Sequence, residues 1–385
     1  MFFFKLNTTD AELVNYNKMM RTIYLKHSFR LLLGLCMVVV SFQLFAKCTS
    51  PAEEVRLFAA DNSAIQYVGR VDFSDPALPR FWSPGVYIEA YFEGDSCQLI
   101  LNDEMLWGKH NYVSVVLDGQ PAKRIMLTGK VNVLDFSENL DRGKHRITIC
   151  KSTESGIGYL EFVGLRCQKL LKPEPKPLRK IEFYGNSITC GTGSDTSIVP
   201  CGAGEWHDQH NAYMSYGPVT ARSLNAQWML TAVSGIGLVH SCCDMDIVML
   251  QVYDKVNLRE NKLGWDFSSY QPDVVTIALG QNDGIQDSIL FCSSYVKFIH
   301  RLRTKYPSAT IVCLSSPMAD EELVFVLKKY IVSVVEAINQ SDDSNVHSFF
   351  FSKSYNNGCD YHPDLKQHAE IAEELTRFIR QLKGW

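Results

Sequence analysis

The chain has 385 residues, of which 46% are hydrophobic and 21% charged, with a net charge of −4. That length exceeds one average domain and predicts two, and the composition is that of an ordinary globular protein. The slightly acidic balance gives no footing for a nucleic-acid partner.

Near the N-terminus, Lys26, His27 and Arg30 precede an apolar run, Leu31 to Ala46, broken mainly by Ser41 and Gln43. About 16 residues are short for a membrane span and suit the core of an export signal. Residues 1–47 are read as a signal or export segment, with translation starting at Met19 or Met20 and cleavage after Ala46. Cys48 is a lipidation candidate, but Lys47 stands where such sites want a small residue. The alternative is an uncleaved N-terminal anchor, the only membrane contact expected. Either way the remainder is exported, to the periplasm, the cell surface or the medium. The 12 cysteines accord loosely with an oxidising compartment. They contain no C-x-x-C pair and so give no zinc or redox motif. Several suit packing as small apolar residues, and their pairing is not legible.

Residues 53–168 are rich in strand patterns. Tyr87 to Phe92 alternates, Gly94-Asp95 reads as a turn, and Cys97 to Leu101 reads as another strand. Tyr112 to Leu117 ends on Asp118-Gly119, a hairpin signal. Arg146 to Cys150 and Tyr159 to Val163 continue the pattern. Short strands with little helical periodicity predict an antiparallel β-sandwich of jelly-roll type. Residues 169–179 carry three alternating prolines, Pro173, Pro175 and Pro177, which fit neither a sheet interior nor a helix. They predict a semi-rigid linker and a domain boundary.

From Lys180 to the end, strands and helices alternate. The strands fall at Ile181–Tyr184, Gln227–Val233, Val274–Leu279, Thr310–Leu314 and His347–Phe351. Helices are expected from near Tyr216 to Leu224, then over Asp287–Tyr306, Glu321–Ile338 and Leu365–Leu382. The pattern predicts a three-layer α/β fold around a doubly wound parallel sheet, whose ligands sit beyond the carboxyl ends of the strands.

Four stretches carry the chemistry. In Gly185-Asn186-Ser187-Ile188-Thr189 a strand ends in a turn, so that Ser187 points out of the sheet beside free backbone N–H groups, as a serine nucleophile requires. The plainer reading makes Ser187 a helix cap. Ser234-Gly235-Ile236-Gly237 follows another strand, and Gly235 N–H is a candidate oxyanion donor. Gly280-Gln281-Asn282-Asp283 follows the most apolar strand, and the Asn282 amide is a further donor, worth roughly 3–4 kcal/mol in a transition state. Cys359-Asp360-Tyr361-His362-Pro363 offers His362 as general base. His368, six residues on, reads as structural.

Together, and in this order, the four blocks resemble the SGNH, or GDSL-type, serine esterases over residues 180–385. The resemblance implies Ser187 as nucleophile and His362 as base, with an oxyanion hole formed by the Ser187 and Gly235 N–H groups and Asn282. Two departures stand out. Asn186 replaces the usual aspartate of the first block. The family's triad acid lies three residues before the histidine, where this chain has Cys359; Asp360 is two before. Side chains two apart on an extended segment share a face, which places Asp360 near the site but short of the far ring nitrogen. A Ser–His dyad is therefore expected, its imidazole held by a backbone carbonyl or another group. With the β-rich N-terminal half, the chain looks like carbohydrate esterase family two. That likeness implies removal of O-acetyl groups from acetylated polysaccharide such as xylan or mannan, with Asp360 and Tyr361 at the substrate. Trp206, Tyr213 and Tyr216 are further candidates for stacking on sugar. No metal or organic cofactor is needed for this chemistry. The alternatives are an SGNH lipase or thioesterase, and a catalytically silent carbohydrate-binding protein.

Overall fold

The computed structural model describes residues 14–26, 54–341 and 343–385. The apolar run Leu31–Ala46 and Cys48, read as an export segment, lie outside the described residues; residues 14–26 are helical. Residues 55–385 form a separate compact unit.

The β-rich half has nine strands: β1 (Arg56–Ala59), β2 (Gln66–Val68), β3 (Arg80–Phe81), β4 (Tyr87–Asp103), β5 (Tyr112–Leu117), β6 (Lys123–Met126), β7 (Val131–Asp135), β8 (Lys144–Lys151) and β9 (Leu160–Leu170). Every pairing among them is antiparallel. Strand β4 is the axis: Tyr87–Glu93 pair with β8, and Gln98–Asn102 pair with both β7 and β9. The turn expected at Gly94-Asp95 is instead a bulge within this one long strand. The register shifts between Glu93 and Cys97, and Gly94 takes φ +125°, open to glycine and closed to most residues. The shift changes which side chains face inward. Ile88, Ala90 and Phe92 point to the core before it, and Cys97, Leu99 and Leu101 after it. They meet Val113, Ile147, Phe162 and Leu165 there.

The second half is built on five parallel strands: β10 (Arg179–Gly185), β11 (Ala226–Ala232), β14 (Val274–Ile277), β15 (Thr310–Leu314) and β16 (Val346–Phe349), in the order β11-β10-β14-β15-β16. A hairpin, β12 (Lys255–Asn257) and β13 (Lys262–Gly264), lies outside the sheet. The helices are α1 (Ser187–Cys190), α2 (Tyr216–Ser223), α3 (Met249–Val252), α4 (Ser288–Lys305), α5 (Glu321–Gln340) and α6 (Leu365–Lys383). Successive strand residues go to opposite faces. Val275, Ile277 and Ile311 pack with Phe291, Phe298, Leu327 and Ile331 of α4 and α5, whereas Val274, Val312 and Leu314 pack with Tyr216, Ile371 and Leu375 of α2 and α6. This is the three-layer arrangement expected, and burial on both faces explains the continuous apolar runs. Asp287, Asp320 and Asp364 cap α4, α5 and α6, each accepting from the N–H three residues on.

The two halves share buried polar contacts. Arg70, from the β2–β3 connection, is fully buried. It donates to Glu182 of β10 at 2.9 Å and to the carbonyls of Tyr253 and Lys255 at 2.7 and 2.6 Å. Tyr87 stacks on Trp228 at 3.9 Å between centroids, and the Trp228 indole donates to Gly85 O at 2.9 Å. Replacing Arg70 by Met would strand the Glu182 carboxylate in the interior. The expected cost is about 3–5 kcal/mol in denaturant unfolding; an unchanged midpoint would show the pair to be dispensable.

Candidate active site

Three of the four chemical blocks leave neighbouring strands at one sheet edge. Gly185 of β10 is level with Ala232 of β11, and Tyr184 with Ile277 of β14. The turns holding Ser187, Gly235 and Asn282 therefore emerge together, at the reversal of strand order between β10 and β14 where such sheets bind ligands. Asn186 caps α1: its side-chain oxygen accepts from Ile188 N–H at 3.2 Å. A neutral amide oxygen serves this role as an aspartate would, so the first departure leaves the turn intact. Ser187 is the first residue of α1, and it is buried but for 7% of its surface.

The fourth block arrives from the connection between β16 and α6. His362 Nε2 lies 2.8 Å from Ser187 Oγ, joining residues 175 apart in sequence. The other ring nitrogen, Nδ1, lies 3.2 Å from the carbonyl oxygen of Cys359. A carbonyl only accepts, so this contact puts the proton on Nδ1 and leaves Nε2 to receive one. Burial pushes the His362 pKa below its usual value, against the opposing pull of the Cys359 and Asp360 backbone and the Asp360 charge. The ring is therefore neutral at pH 7. His368 is fully buried, accepts from Tyr216 N–H at 3.2 Å and is pushed down to about 3 by burial.

Residues 359–361 are a tight turn rather than an extended segment. Asp360 and Tyr361 both take left-handed backbone, with φ 51° and 59°. This curl brings the Cys359 carbonyl back onto the ring. It also turns Asp360 outward, where no hydrogen bond joins its carboxylate to His362 among the described residues, and leaves Tyr361 78% exposed.

In the loop after β14, Asn282 Nδ2 donates to Ile236 O at 2.9 Å, which fixes the amide and leaves its second N–H for another acceptor. Buried Asp283 accepts from the N–H groups of Leu238, Val239 and His240 at 2.7–3.1 Å, tying the Gly235 loop to the Asn282 loop. Glu154, from the β-rich half, accepts from Ser234 N–H at 2.6 Å and from the Cys190 thiol at 3.7 Å. It therefore bridges the loops of Gly235 and Ser187. Lys151, fully buried and pushed down by burial to about 7, donates to the carbonyls of Thr153 and Glu154 at 2.8 and 3.0 Å.

A cleft of about 480 Å³ opens over Ser234 and Gly235, walled by Trp107, Trp206, Met245 and Arg259. Of the aromatic candidates, Trp206 lines it. Tyr216 is fully buried and bonded to Thr189, and Tyr213 packs against Trp228 and Arg222. Trp107 and Glu154 were not singled out in the sequence; the one available hint was a tryptophan beside a glycine in a polar loop. Among the described residues no group of three or more His, Cys, Asp or Glu could hold a metal. A neutral imidazole bonded to a serine hydroxyl, with amide donors on adjacent strand ends, is suited to acyl transfer.

Residues 67–177 match the family described as carbohydrate esterase 2 N-terminal, and residues 183–381 match the GDSL-like lipase/acylhydrolase family. The chain is 34% identical to the cellulase/esterase CelE of Acetivibrio thermocellus, over 87% of this chain and 41% of that protein, so it spans less than half of that relative. It is 31% identical to an acetylxylan esterase / glucomannan deacetylase of Cellvibrio japonicus, over 85% of this chain and 91% of that protein. The structure of a family two carbohydrate esterase from Clostridium thermocellum in complex with cellohexaose superposes with a TM-score of 0.76 at 32% identity, covering 83% of this chain and 99% of that one. A family two carbohydrate esterase from Cellvibrio japonicus gives 0.78 at 28% identity, over 86% and 99% of the two chains. The chain belongs to carbohydrate esterase family two, with a GDSL-type hydrolase half.

Proposed function

We propose that this protein is an exported serine esterase that removes O-acetyl groups from plant-type polysaccharide, xylan or mannan, through a Ser187–His362 dyad. The observation that carries the reading is the 2.8 Å contact between Ser187 Oγ and the unprotonated nitrogen of His362. Ser187 Oγ attacks the acetyl carbonyl carbon as its proton passes to His362 Nε2. The oxyanion is met by the Ser187 and Gly235 N–H groups and the free N–H of Asn282. Collapse breaks the bond to the sugar oxygen, which leaves as a hydroxyl with the proton held by His362. Water then gives a proton to His362 and attacks the acetyl-serine, acetate departs, and Ser187 regains its hydrogen. The Cys359 carbonyl keeps the proton on Nδ1, the orienting half of a triad acid's work. Without a negative charge it supports the imidazolium less.

Polysaccharide as substrate is supported by the names of the relatives and by the two tryptophans in the cleft, whose flat rings suit sugar faces. In this reading Tyr361, exposed beside His362, and Asp360 touch the same chain. The apolar run after Arg30 supports export.

Ser187→Ala should lower kcat on acetylated xylan and glucomannan at least 10³-fold, roughly the cost of losing a nucleophile; retained acetate release would end the reading. Asn282→Ala should lose about 10²–10³ in kcat. If kcat is unchanged, Asn282 is not an oxyanion donor. Only the neutral ring can accept the proton, and its pKa is depressed. The acid limb of kcat/KM should therefore inflect below the ordinary imidazole value of ~6.5, and an inflection above it would contradict a buried neutral base.

A further inference from the structure

Cys359 occupies the position of the family's missing acid, and its two ends do separate things. Its carbonyl oxygen accepts from both His362 Nδ1 at 3.2 Å and His362 N–H at 3.0 Å. Its side chain forms a disulfide with Cys201, 158 residues earlier. Between Cys359 and His362 stand the two left-handed residues Asp360 and Tyr361. L-residues adopt that backbone at a cost and keep it only where the surroundings over-determine it.

The surroundings can be enumerated. Cys359 N–H donates to Gly193 O at 2.8 Å, Gly358 N–H to His362 O at 2.6 Å, and Leu365 N–H to Ser194 O at 3.1 Å. Gly193 has φ +66°, and a Cβ on it would stand 2.5 Å from the Cys359 carbonyl oxygen, so the close approach requires glycine. Two of these bonds join the histidine turn to the Gly193–Ser194 turn, and the third closes the histidine turn on itself. The disulfide is the only covalent tie from the histidine turn to another part of the fold among the described residues. Its far end, Cys201, lies in an exposed loop whose flanks are tied down. Asp195 N–H donates to Gln209 O at 2.9 Å, and Gln209 Nε2 donates to Pro200 O and Ala203 O at 3.2 and 3.1 Å. Tyr112 of the β-rich half donates to Asp208 at 2.9 Å.

We propose that Cys201 is a positioning residue for His362: its disulfide holds the Cys359 carbonyl against Nδ1, so that a covalent tether and a main-chain acceptor together replace the triad acid. This rests on the Ser187–His362 reading. Reduction cleaves the S–S bond to two thiols, taking two electrons and two protons from a dithiol that closes to its own disulfide. The turn is then held only by hydrogen bonds, those to the Gly193–Ser194 turn and the one that closes it on itself. The ring is free to lose its carbonyl partner and to carry its proton on Nε2, the nitrogen that must receive one. The protein accordingly reaches full activity only after oxidation.

The test is Cys201→Ser in the full chain, assayed on p-nitrophenyl acetate and acetylated xylan, with near-UV circular dichroism to confirm folding. The expected result is a kcat lower by roughly 10–100-fold, the scale of a misplaced catalytic group, at unchanged KM. The acid limb of kcat/KM should also move to lower pH, because the Cys359 backbone bond raises the ring's pKa. Asp360, on its own turn, also acts on the ring, and His210 and His368 on neighbouring elements are pushed down in part by the His362 charge; none of the three is touched by the substitution. A disulfide that merely stabilised the fold would shift neither kcat at a temperature well below unfolding nor the pH limb. A folded Cys201→Ser with wild-type kcat and pH profile overturns the proposal. If that variant does not fold, dithiothreitol on a Cys242→Ser/Cys243→Ser protein decides. The other disulfide among the described residues joins the adjacent Cys242 and Cys243, so in that protein Cys201–Cys359 is the only described one left to reduce. Reversible loss of kcat on thiol exposure supports the tether, and full activity with both thiols titrated overturns it. An active Ser187→Ala would instead sink the underlying dyad, which keeps the two failures apart.

Discussion

One hydrogen bond organises this fold's chemistry, the 2.8 Å contact between Ser187 Oγ and His362 Nε2 across 175 residues of chain. It requires the turn after the first strand of the parallel sheet and the turn before the last helix to reach the same point. Strand order provides the first condition, since β10 lies between β11 and β14 and three chemical loops leave adjacent carboxyl ends. The curl at Asp360 and Tyr361 provides the second. It trades the extended backbone a side-chain acid would use for a main-chain carbonyl that reaches back to the ring.

The β-rich half takes part in this arrangement. Glu154 joins the Ser187 loop to the Gly235 loop through Cys190 and Ser234, and Trp107 forms part of the cleft wall. Arg70 lies against the base of β10 and neutralises Glu182, a charge that the sheet interior could not hold alone. Connections of the N-terminal half thus shape the geometry of the proposed oxyanion site as well as its approach.

Much of the second half was legible in the sequence, because its signals are local. Asp287, Asp320 and Asp364 mark helix starts by capping, and runs such as Val274–Ile277 are apolar on both faces because both are covered. The glycine-flanked blocks fall at strand ends, where their spacing shows. The first half was less legible. Gly94-Asp95 has the composition of a hairpin turn, yet the strand continues through it as a bulge, since the partners of Cys97–Leu101 are distant strands rather than the preceding segment. The role of Asp360 turned on whether residues 359–361 were extended or curled. That depends on left-handed backbone at two non-glycine residues, which no local pattern announces. The Cys201–Cys359 pairing and the reach of Glu154 are contacts between distant segments, and spacing along the chain carries no trace of them.

In the proposed mechanism Ser187 takes up the acetyl group. Rapid acid quench of the wild-type protein with p-nitrophenyl acetate, followed by peptide mass spectrometry, tests it directly. A single acetyl group on the peptide bearing Ser187, absent when His362 is replaced by Ala, is the predicted result. An acetyl group found only on another residue, or acetate release with no acetylated protein under conditions where deacylation is slowed, would contradict it.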